Sequence, residues 1–167
     1  MRELKFRAWD TAKKEWIDGY YGFHIVGEMI LMDGFSGYSV EQYNDIEIMQ
    51  FTGLKDKNGV EIYEGDVLYH VNKGVSHGGG NTFHNQDWSV VSYGEFNMGV
   101  EEYDTNVIGF HRTAILFKSK YVMMATQEVK EYEDKTPVQT ELWYNLDQQE
   151  VIGNIYENPE LLEEGGA

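Results

Sequence analysis

The stretch Gln50–Leu68 reads QFTGLKDKNGVEIYEGDVL and contains two turn signals between short apolar runs. In the first, Asn58 and Gly59 tolerate positive φ at little steric cost, which predicts a tight turn between two strands. In the second, Gly65 relieves a strained backbone position, and Asp66 is placed to accept backbone N–H bonds. The stretch therefore predicts three short strands joined by two tight turns, and it contains no nucleophile, base or set of metal ligands.

Short strands are expected through much of the remaining chain. Leu4–Trp9 alternates apolar and polar side chains, which is typical of an amphipathic strand, and Glu15–Ile17 is its predicted hairpin partner. Further strands are expected over residues 46–51, 67–71, 90–93, 107–110, 114–117, 140–144 and 151–156. A Gly-Asp turn that leads into a Val-Leu strand also occurs in small SH3-like barrels. The expected fold class is mainly β, with short strands in a small SH3-like or partly open barrel.

One short helix is expected at the C-terminal end, over residues 158–164. Asn158 is placed to cap it, and Pro159 occupies the first helical position, where its missing N–H costs nothing. Acidic residues in the first turns suit the helix dipole, and Gly165-Gly166 ends the helix.

The length of 167 residues and the hydrophobic content of 41% favour one domain, residues 1–167, over two small ones. Within it, Asn72–Asp87 is rich in glycine and polar residues and includes Gly78–Gly80. That composition predicts a flexible loop near residues 72–87.

Charge and composition exclude several classes of function. The net charge is -16, and a negative field of this size disfavours phosphate backbones, so nucleic-acid binding is not expected. The absence of cysteine excludes disulfides, thiol nucleophiles and cysteine-based metal sites. No apolar run approaches the roughly 20 residues that span a bilayer, so a soluble cytoplasmic protein without membrane contact is expected.

Few residues are candidates for chemistry. His70, His77 and His84 recur at intervals of seven and are weak candidates for metal ligands. The glycines between them give no rigidity, so neither a preformed metal site nor a cofactor is expected. Runs of adjacent acids are typical of solvated surfaces, and no serine lies in a nucleophile motif. No catalytic residue is assigned, and the chain is not expected to be an enzyme.

Three segments resemble the YopX-like family of phage and prophage proteins. They are Lys5-Phe-Arg-Ala-Trp-Asp10, the stretch Gln50–Leu68, and Glu150–Leu162. They occur in the family's order and bracket nearly the whole chain. The resemblance implies a small, mostly β protein encoded by a phage or integrated prophage, made in the bacterial cytoplasm, with no activity, cofactor or catalytic residue to transfer.

The residues that carry the resemblance are mostly glycines, turn formers and aromatic anchors, and we interpret them as structural. They are Trp9, Asp10, Gly53, Asn58, Gly59, Gly65, Asp66, Gly153, Asn154, Tyr156, Asn158 and Pro159.

The leading hypothesis is a non-enzymatic phage accessory protein that binds a protein partner or a second copy of itself, with a homo-oligomer as the expected state. One alternative is an acidic DNA mimic that inhibits a host nucleic-acid enzyme, because the 43 residues from Ala125 onward contain two basic and eleven acidic residues. Another is a small-barrel nucleic-acid-binding module that uses the basic and aromatic N-terminus as a stacking platform.

Overall fold

The computed structural model describes residues 5–17, 22–26, 29–33, 40–43, 45–75, 80–97, 106–123, 125–136, 138–143 and 145–164. This part of the chain is mostly β structure, one of its sheets curls into a half-barrel, and a short helix lies near its C-terminal end. The expected fold class is confirmed. No helix in these residues is long and apolar enough to cross a membrane.

The described strands form three antiparallel sheets. In chain order they are β1 (Phe6–Asp10), β2 (Glu15–Trp16), β3 (Gly22–Val26), β4 (Met29–Asp33), β5 (Val40–Tyr43), β6 (Ile46–Lys55), β7 (Glu61–Tyr63), β8 (Asp66–Val75), β9 (Thr82–Asn97), β10 (Asn106–Met123), β11 (Glu128–Asp134), β12 (Val138–Glu141) and β13 (Gln149–Asn154). The four-stranded sheet has the order β2-β1-β6-β7, and the three-stranded sheet has the order β3-β4-β5. The six-stranded sheet has the order β11-β10-β9-β8-β13, and β12 pairs with β10 beside this path.

Two strands are far longer than the sequence suggests. β9 has 16 residues and β10 has 18 residues, and they pair with each other along most of their lengths. The short runs expected at 90–93, 107–110 and 114–117 are pieces of these two strands. The six-stranded sheet is built around this long pair.

The prediction of a flexible loop near residues 72–87 is wrong for most of that segment. Residues 72–75 belong to β8 and residues 82–87 belong to β9, while 76–79 lie outside the described residues. Gly74 is opposite Phe83, whose ring lies so close that a Cβ on Gly74 would meet it at 2.8 Å. Gln86 Nε2 also donates to the hydroxyl of Tyr69 at 2.6 Å. The Phe83 ring over Gly74 and the bond between Gln86 and Tyr69 thus stabilise the pairing of β8 with β9, in a segment whose composition indicates a loop.

The strands β11 and β12 lie in line along the same side of β10. β11 pairs with Phe117–Met123 and β12 pairs with residues 111–114, both antiparallel. The register of β10 against β9 shifts between Ala114 and Leu116, at the same level as the gap between β11 and β12. The two strands are therefore one edge of the sheet, interrupted beside a β-bulge.

Two clusters of buried residues form most of the described core. One contains Trp9, Met49, Phe51 and Tyr63. The other contains Ile62, Leu68, Val91 and Leu142. β7 contributes to both clusters, because Ile62 and Tyr63 point to opposite sides of this strand.

The C-terminal helix α1 spans Glu160–Glu164 and is shorter than expected. Pro159 precedes it, and its carbonyl accepts a bond from the N–H of Leu162 at 3.1 Å. The side chain of Asn158 does not act as expected, because its Oδ1 accepts a bond from the N–H of Asn154 at 3.3 Å. It joins the start of the helix to the end of β13.

Candidate functional site

The buried carboxylate of Asp66 lies at the junction of the four-stranded and six-stranded sheets. It accepts bonds from the N–H of Tyr63 at 2.8 Å and from Asn154 Nδ2 at 3.2 Å, and it forms an ion pair with Arg7. Gly65, with φ of 79°, precedes it, and a Cβ there would meet Asn154 Nδ2 at 3.1 Å. Burial raises the pKa of Asp66, although Arg7 and the hydrogen bonds oppose the rise.

The basic and aromatic side chains at the N-terminus contact each other. The guanidinium of Arg7 lies 4.6 Å from the ring centroid of Trp16 and 4.5 Å from that of Tyr63. Lys5 forms an ion pair with Glu61. The rings of Trp16 and Tyr63 therefore already contact a cation of the same chain.

Asp10 and Trp9 order the first turn. Asp10 Oδ1 accepts bonds from the N–H groups of Ala12 at 3.0 Å and Lys13 at 2.8 Å. The bond from Lys13 is the main cause of a lowered pKa at Asp10. Trp9 is buried and packs edge-on against Trp16, with ring centroids 4.9 Å apart.

The turn at residues 56–59 is built around one carboxylate. Asp56 Oδ1 accepts bonds from the N–H groups of Asn58 and Val60, each at 2.8 Å. Gly59 has φ of 84°, and Gly53, in the preceding strand, has φ of 85°. Both glycines occupy the left-handed region that other residues rarely adopt.

The same turn covers the outer edge of β13. Asp56 Oδ2 accepts a bond from the N–H of Val151 at 3.0 Å. The N–H of Lys57 donates to the carbonyl of Gln149 at 3.0 Å. The turn therefore pairs with two backbone groups at the outer edge of β13, and these bonds fix the four-stranded sheet to the six-stranded sheet.

The end of β13 is tightly packed around Gly153 and Asn154. A Cβ on Gly153 would lie 2.5 Å from Asn158 Oδ1, so only glycine fits without displacement. Asn154 Oδ1 accepts a bond from the N–H of Tyr156 at 3.0 Å. The hydroxyl of Tyr156 donates to Glu47 at 3.3 Å, and burial together with this carboxylate raises the pKa of Tyr156 to about 12.

The histidines do not converge. His70 is opposite Asp87 in the β8–β9 ladder, and His84 is opposite Lys73. Since residues 70 and 73 differ by an odd number along the strand, His70 and His84 lie on opposite faces of the sheet. His77 lies outside the described residues. Within those residues, no group of three or more His, Cys, Asp or Glu side chains is arranged to hold a metal ion.

A pocket of about 180 Å³ opens where the edge of the sheet is interrupted between β11 and β12; we call it the strand-break pocket. Its polar lining residues are Asp87, Arg112, Asp134, Thr136 and Thr140. Its apolar lining residues are Ala114, Phe117 and Val138. No motif in the sequence marks this pocket, because a bulge in β10 and the interruption of the edge create it jointly.

The strand-break pocket is lined by two carboxylates, Asp87 and Asp134, whose pKa values shift in opposite directions. Burial raises the pKa of Asp87, although Arg112, whose Nη1 lies 3.5 Å from Asp87 Oδ2, and His70 oppose the rise. Hydrogen bonds from Thr136 lower the pKa of Asp134, whose Oδ1 accepts the N–H of Thr136 at 2.8 Å. The pocket therefore combines two acidic side chains, Asp87 and Asp134, with the cationic side chain of Arg112.

Two large aromatic side chains, Tyr93 and Trp143, are exposed near one end of the same sheet, and we call the exposed ring of Trp143 the aromatic surface. Trp143 is 63% exposed and Tyr93 is 53% exposed. Tyr93 is opposite Phe110, whereas position 141, two residues before Trp143, is opposite the next residue, His111. Positions 93 and 141 therefore lie on opposite faces of the sheet, and Trp143 follows the end of β12. No sequence pattern marks this surface, since the exposure of Trp143 depends on how β12 pairs with β10 and where β12 ends.

Comparison with known proteins places this chain in one family. The solved structure entitled "Crystal structure of protein EF1440 from Enterococcus faecalis" is 25% identical, with coverage of 97% of this chain and 99% of that chain and a TM-score of 0.47. None of the curated proteins matches. A family model described as YopX protein matches residues 5–163, nearly the whole length that the three sequence segments bracket. The chain therefore belongs to the YopX family.

Proposed function

We propose that this YopX-family protein is a non-enzymatic accessory protein of a phage or prophage, located in the bacterial cytoplasm, that works through protein–protein contacts. We further propose that its first partner is a second copy of the same chain. The observation that carries the proposal is the aromatic surface, where the side chain of Trp143 is 63% exposed.

An exposed tryptophan is informative because its large aromatic side chain gains more free energy on burial than most side chains do. Trp and Tyr are also the residues that most often dominate binding energy at interfaces, where they fill pockets near the centre. Of the other three tryptophans, Trp9 and Trp88 are at most 6% exposed and Trp16 is half-buried. Trp143 therefore differs from the tryptophans that serve the fold, which favours a role in contact with another chain.

The residues of the family segments support a non-enzymatic role. Asp56, Asp66 and Asn154 use their side-chain oxygens to accept backbone or side-chain donors of the same chain. Groups committed in this way stabilise turns and sheet junctions, and their substitution is expected to affect folding first.

The DNA-mimic alternative has less support. A mimic needs a row of carboxylates at phosphate spacing that basic side chains do not interrupt. On β11 the three glutamates are paired with lysines: Glu128 with Lys130, Glu131 with Lys120, and Glu133 with Lys135. Such alternation is typical of a solvated sheet edge.

Light scattering coupled to gel filtration tests the proposal. Wild-type protein at micromolar concentration is expected to give a discrete homo-oligomer. Trp143→Ala is expected to weaken self-association by about thirtyfold, the effect of losing about 2 kcal/mol at an interface hot spot. Tyr132→Ala is the matched control, since Tyr132 is 58% exposed but lies on β11. A monomeric wild type, or equal effects of the two substitutions, would contradict the proposal.

A further inference from the structure

The two edges of the six-stranded sheet differ in what covers them. The edge formed by β13 is covered by the turn at residues 56–59, through bonds to Val151 and Gln149. At the other edge, six of the seven residues of β11 are exposed, and among the described strands only β10 pairs with it. An edge strand of this kind presents backbone N–H and C=O groups that another extended chain can pair with.

The charge of this edge favours a basic occupant. Residues 128–141 contain five acidic and two basic residues, a net charge of −3. The existing pairs are exposed; Lys120 and Glu131, 3.0 Å apart, are 53% and 70% exposed. Exposed pairs of this kind contribute little stability, so the glutamates are free to exchange their lysines for the cations of a partner.

A second copy of β11 is a poor occupant. In an antiparallel pairing centred on Glu131, that residue would lie opposite its own copy, and Glu128 would lie opposite Asp134. Like charges directly opposite each other in a ladder are destabilising. The edge therefore fits a different chain from the one that we assign to the aromatic surface.

The strand-break pocket suits one side chain of such an occupant. Asp87 and Asp134 supply carboxylates, and Arg112 leaves the pocket with a net charge of −1 when both acids are ionised. Ala114, Phe117 and Val138 supply apolar wall for a methylene stem. An apolar stem with a cationic head is the chemistry of lysine and arginine.

We propose that an extended segment of a partner protein, rich in lysine or arginine, adds to β11 as a further strand and places one basic side chain in the strand-break pocket. Backbone bonds along the edge supply affinity, and the acids of the edge and the pocket supply selectivity for basic residues. The inference rests on the proposed protein-binding function and names the chemistry of a second partner.

Titration of the full chain with a defined peptide tests this inference. The probe is the acetylated and amidated peptide Thr-Arg-Thr-Arg-Thr-Arg-Thr, followed by backbone amide NMR shifts and hydrogen exchange. We expect shifts and slowed exchange across Glu128–Asp134, and no binding of the counterpart with Glu in place of Arg. Asp134→Asn is expected to weaken binding about tenfold through loss of a charged acceptor, whereas Glu157→Gln, an exposed acid elsewhere, leaves it unchanged.

The outcomes separate the inference from the proposed function. Binding of the acidic peptide with equal affinity, shifts that map away from β11, equal affinity of the Asp134→Asn and Glu157→Gln variants, or no binding would each overturn the inference. Trp143→Ala is expected to weaken self-association and keep peptide binding. Loss of peptide binding with intact self-association therefore removes the edge proposal alone, and the reverse result removes the aromatic surface alone.

Discussion

Arg7 on β1 donates a hydrogen bond to the buried carboxylate of Asp66 on β8, and this ion pair ties the four-stranded sheet to the six-stranded sheet. The two residues are 59 positions apart in sequence. Because Arg7 also lies between the rings of Trp16 and Tyr63, the pair holds its geometry through packing as well as charge. The family segments at the N-terminus and in Gln50–Leu68 thus meet at this point.

Removing the charge of Asp66 is expected to destabilise the protein strongly. Asp66→Asn leaves the Arg7 guanidinium without its anion in a largely buried position, and breaking such a pair costs about 3 kcal/mol or more. The measurement is the free energy of unfolding in urea. Asp147→Asn, the same substitution at an exposed residue, is expected to change that energy by less than about 0.5 kcal/mol. Similar effects of the two substitutions would show that the ion pair does not hold the sheets together.

Gly153 is expected to tolerate no side chain. Gly153→Ala would place a Cβ 2.5 Å from Asn158 Oδ1 and 2.8 Å from Leu161 Cδ1, so the start of the helix must move. We expect a loss of about 1–3 kcal/mol in unfolding free energy, the usual range for overpacking. Gly94→Ala is the control, since nothing lies within 4 Å of a Cβ there. Equal stability of the two variants would contradict the packing at this position.

The stability contributed by Asp87 is expected to fall as pH rises. Burial raises the pKa of Asp87 in the folded state, so the folded state holds the proton more tightly than the unfolded chain does. The contribution is therefore fully present below about pH 4, the ordinary aspartate value, and is lost as pH rises through the folded value.

Comparison with Asp87→Asn isolates this contribution, because the asparagine does not titrate. The difference in unfolding free energy between wild type and variant, measured in urea from about pH 4 to about pH 7, is expected to move steadily against the wild type. A constant difference would show that the Arg112 attraction balances burial, and a difference that moves in favour of the wild type as pH rises would show that it outweighs burial. Either result would contradict the prediction.

Loss of the Asp56 carboxylate is expected to uncover the edge of β13. Asp56→Ala removes the acceptor for the N–H of Val151 and for two amides of the turn. Hydrogen exchange at Val151 is expected to accelerate by about tenfold or more, the effect of losing a bond to a charged group. Asp10→Ala removes a similar carboxylate from the turn between β1 and β2 and is expected to leave exchange at Val151 unchanged. Equal exchange in both variants would show that the turn does not cover this edge.

The turns of Gln50–Leu68 are predictable because their chemistry is local. Gly59 and Gly65 adopt the positive φ that their neighbours imply, and Asp66 accepts the backbone N–H of Tyr63. The long partners β9 and β10 are not predictable in the same way. Their polar residues are held by bonds across strands, such as Ser119 to Asn85 at 2.8 Å, which are remote in sequence.

The strand-break pocket and the exposure of Trp143 are also not predictable from the local sequence. The strand-break pocket depends on where the register shifts in β10, and the exposure of Trp143 depends on where β12 ends. In the sequence, the exposed Trp143 has the more apolar neighbours, Leu142 and Tyr144, whereas the buried Trp88 lies between Asp87 and Ser89. Only the paired strands show that Trp88 is buried and that Trp143 faces solvent.

The most direct test of the proposed function is fluorescence quenching by acrylamide as a function of protein concentration, compared between wild type and Trp143→Phe. Trp143 is 63% exposed, whereas Trp9 and Trp88 are at most 6% exposed, so the difference between the two proteins reports mainly on Trp143. If the aromatic surface joins two copies of the chain, Trp143 is readily quenched in dilute protein and becomes protected as concentration rises through the association range. Quenching of Trp143 that stays the same at every concentration would contradict the account.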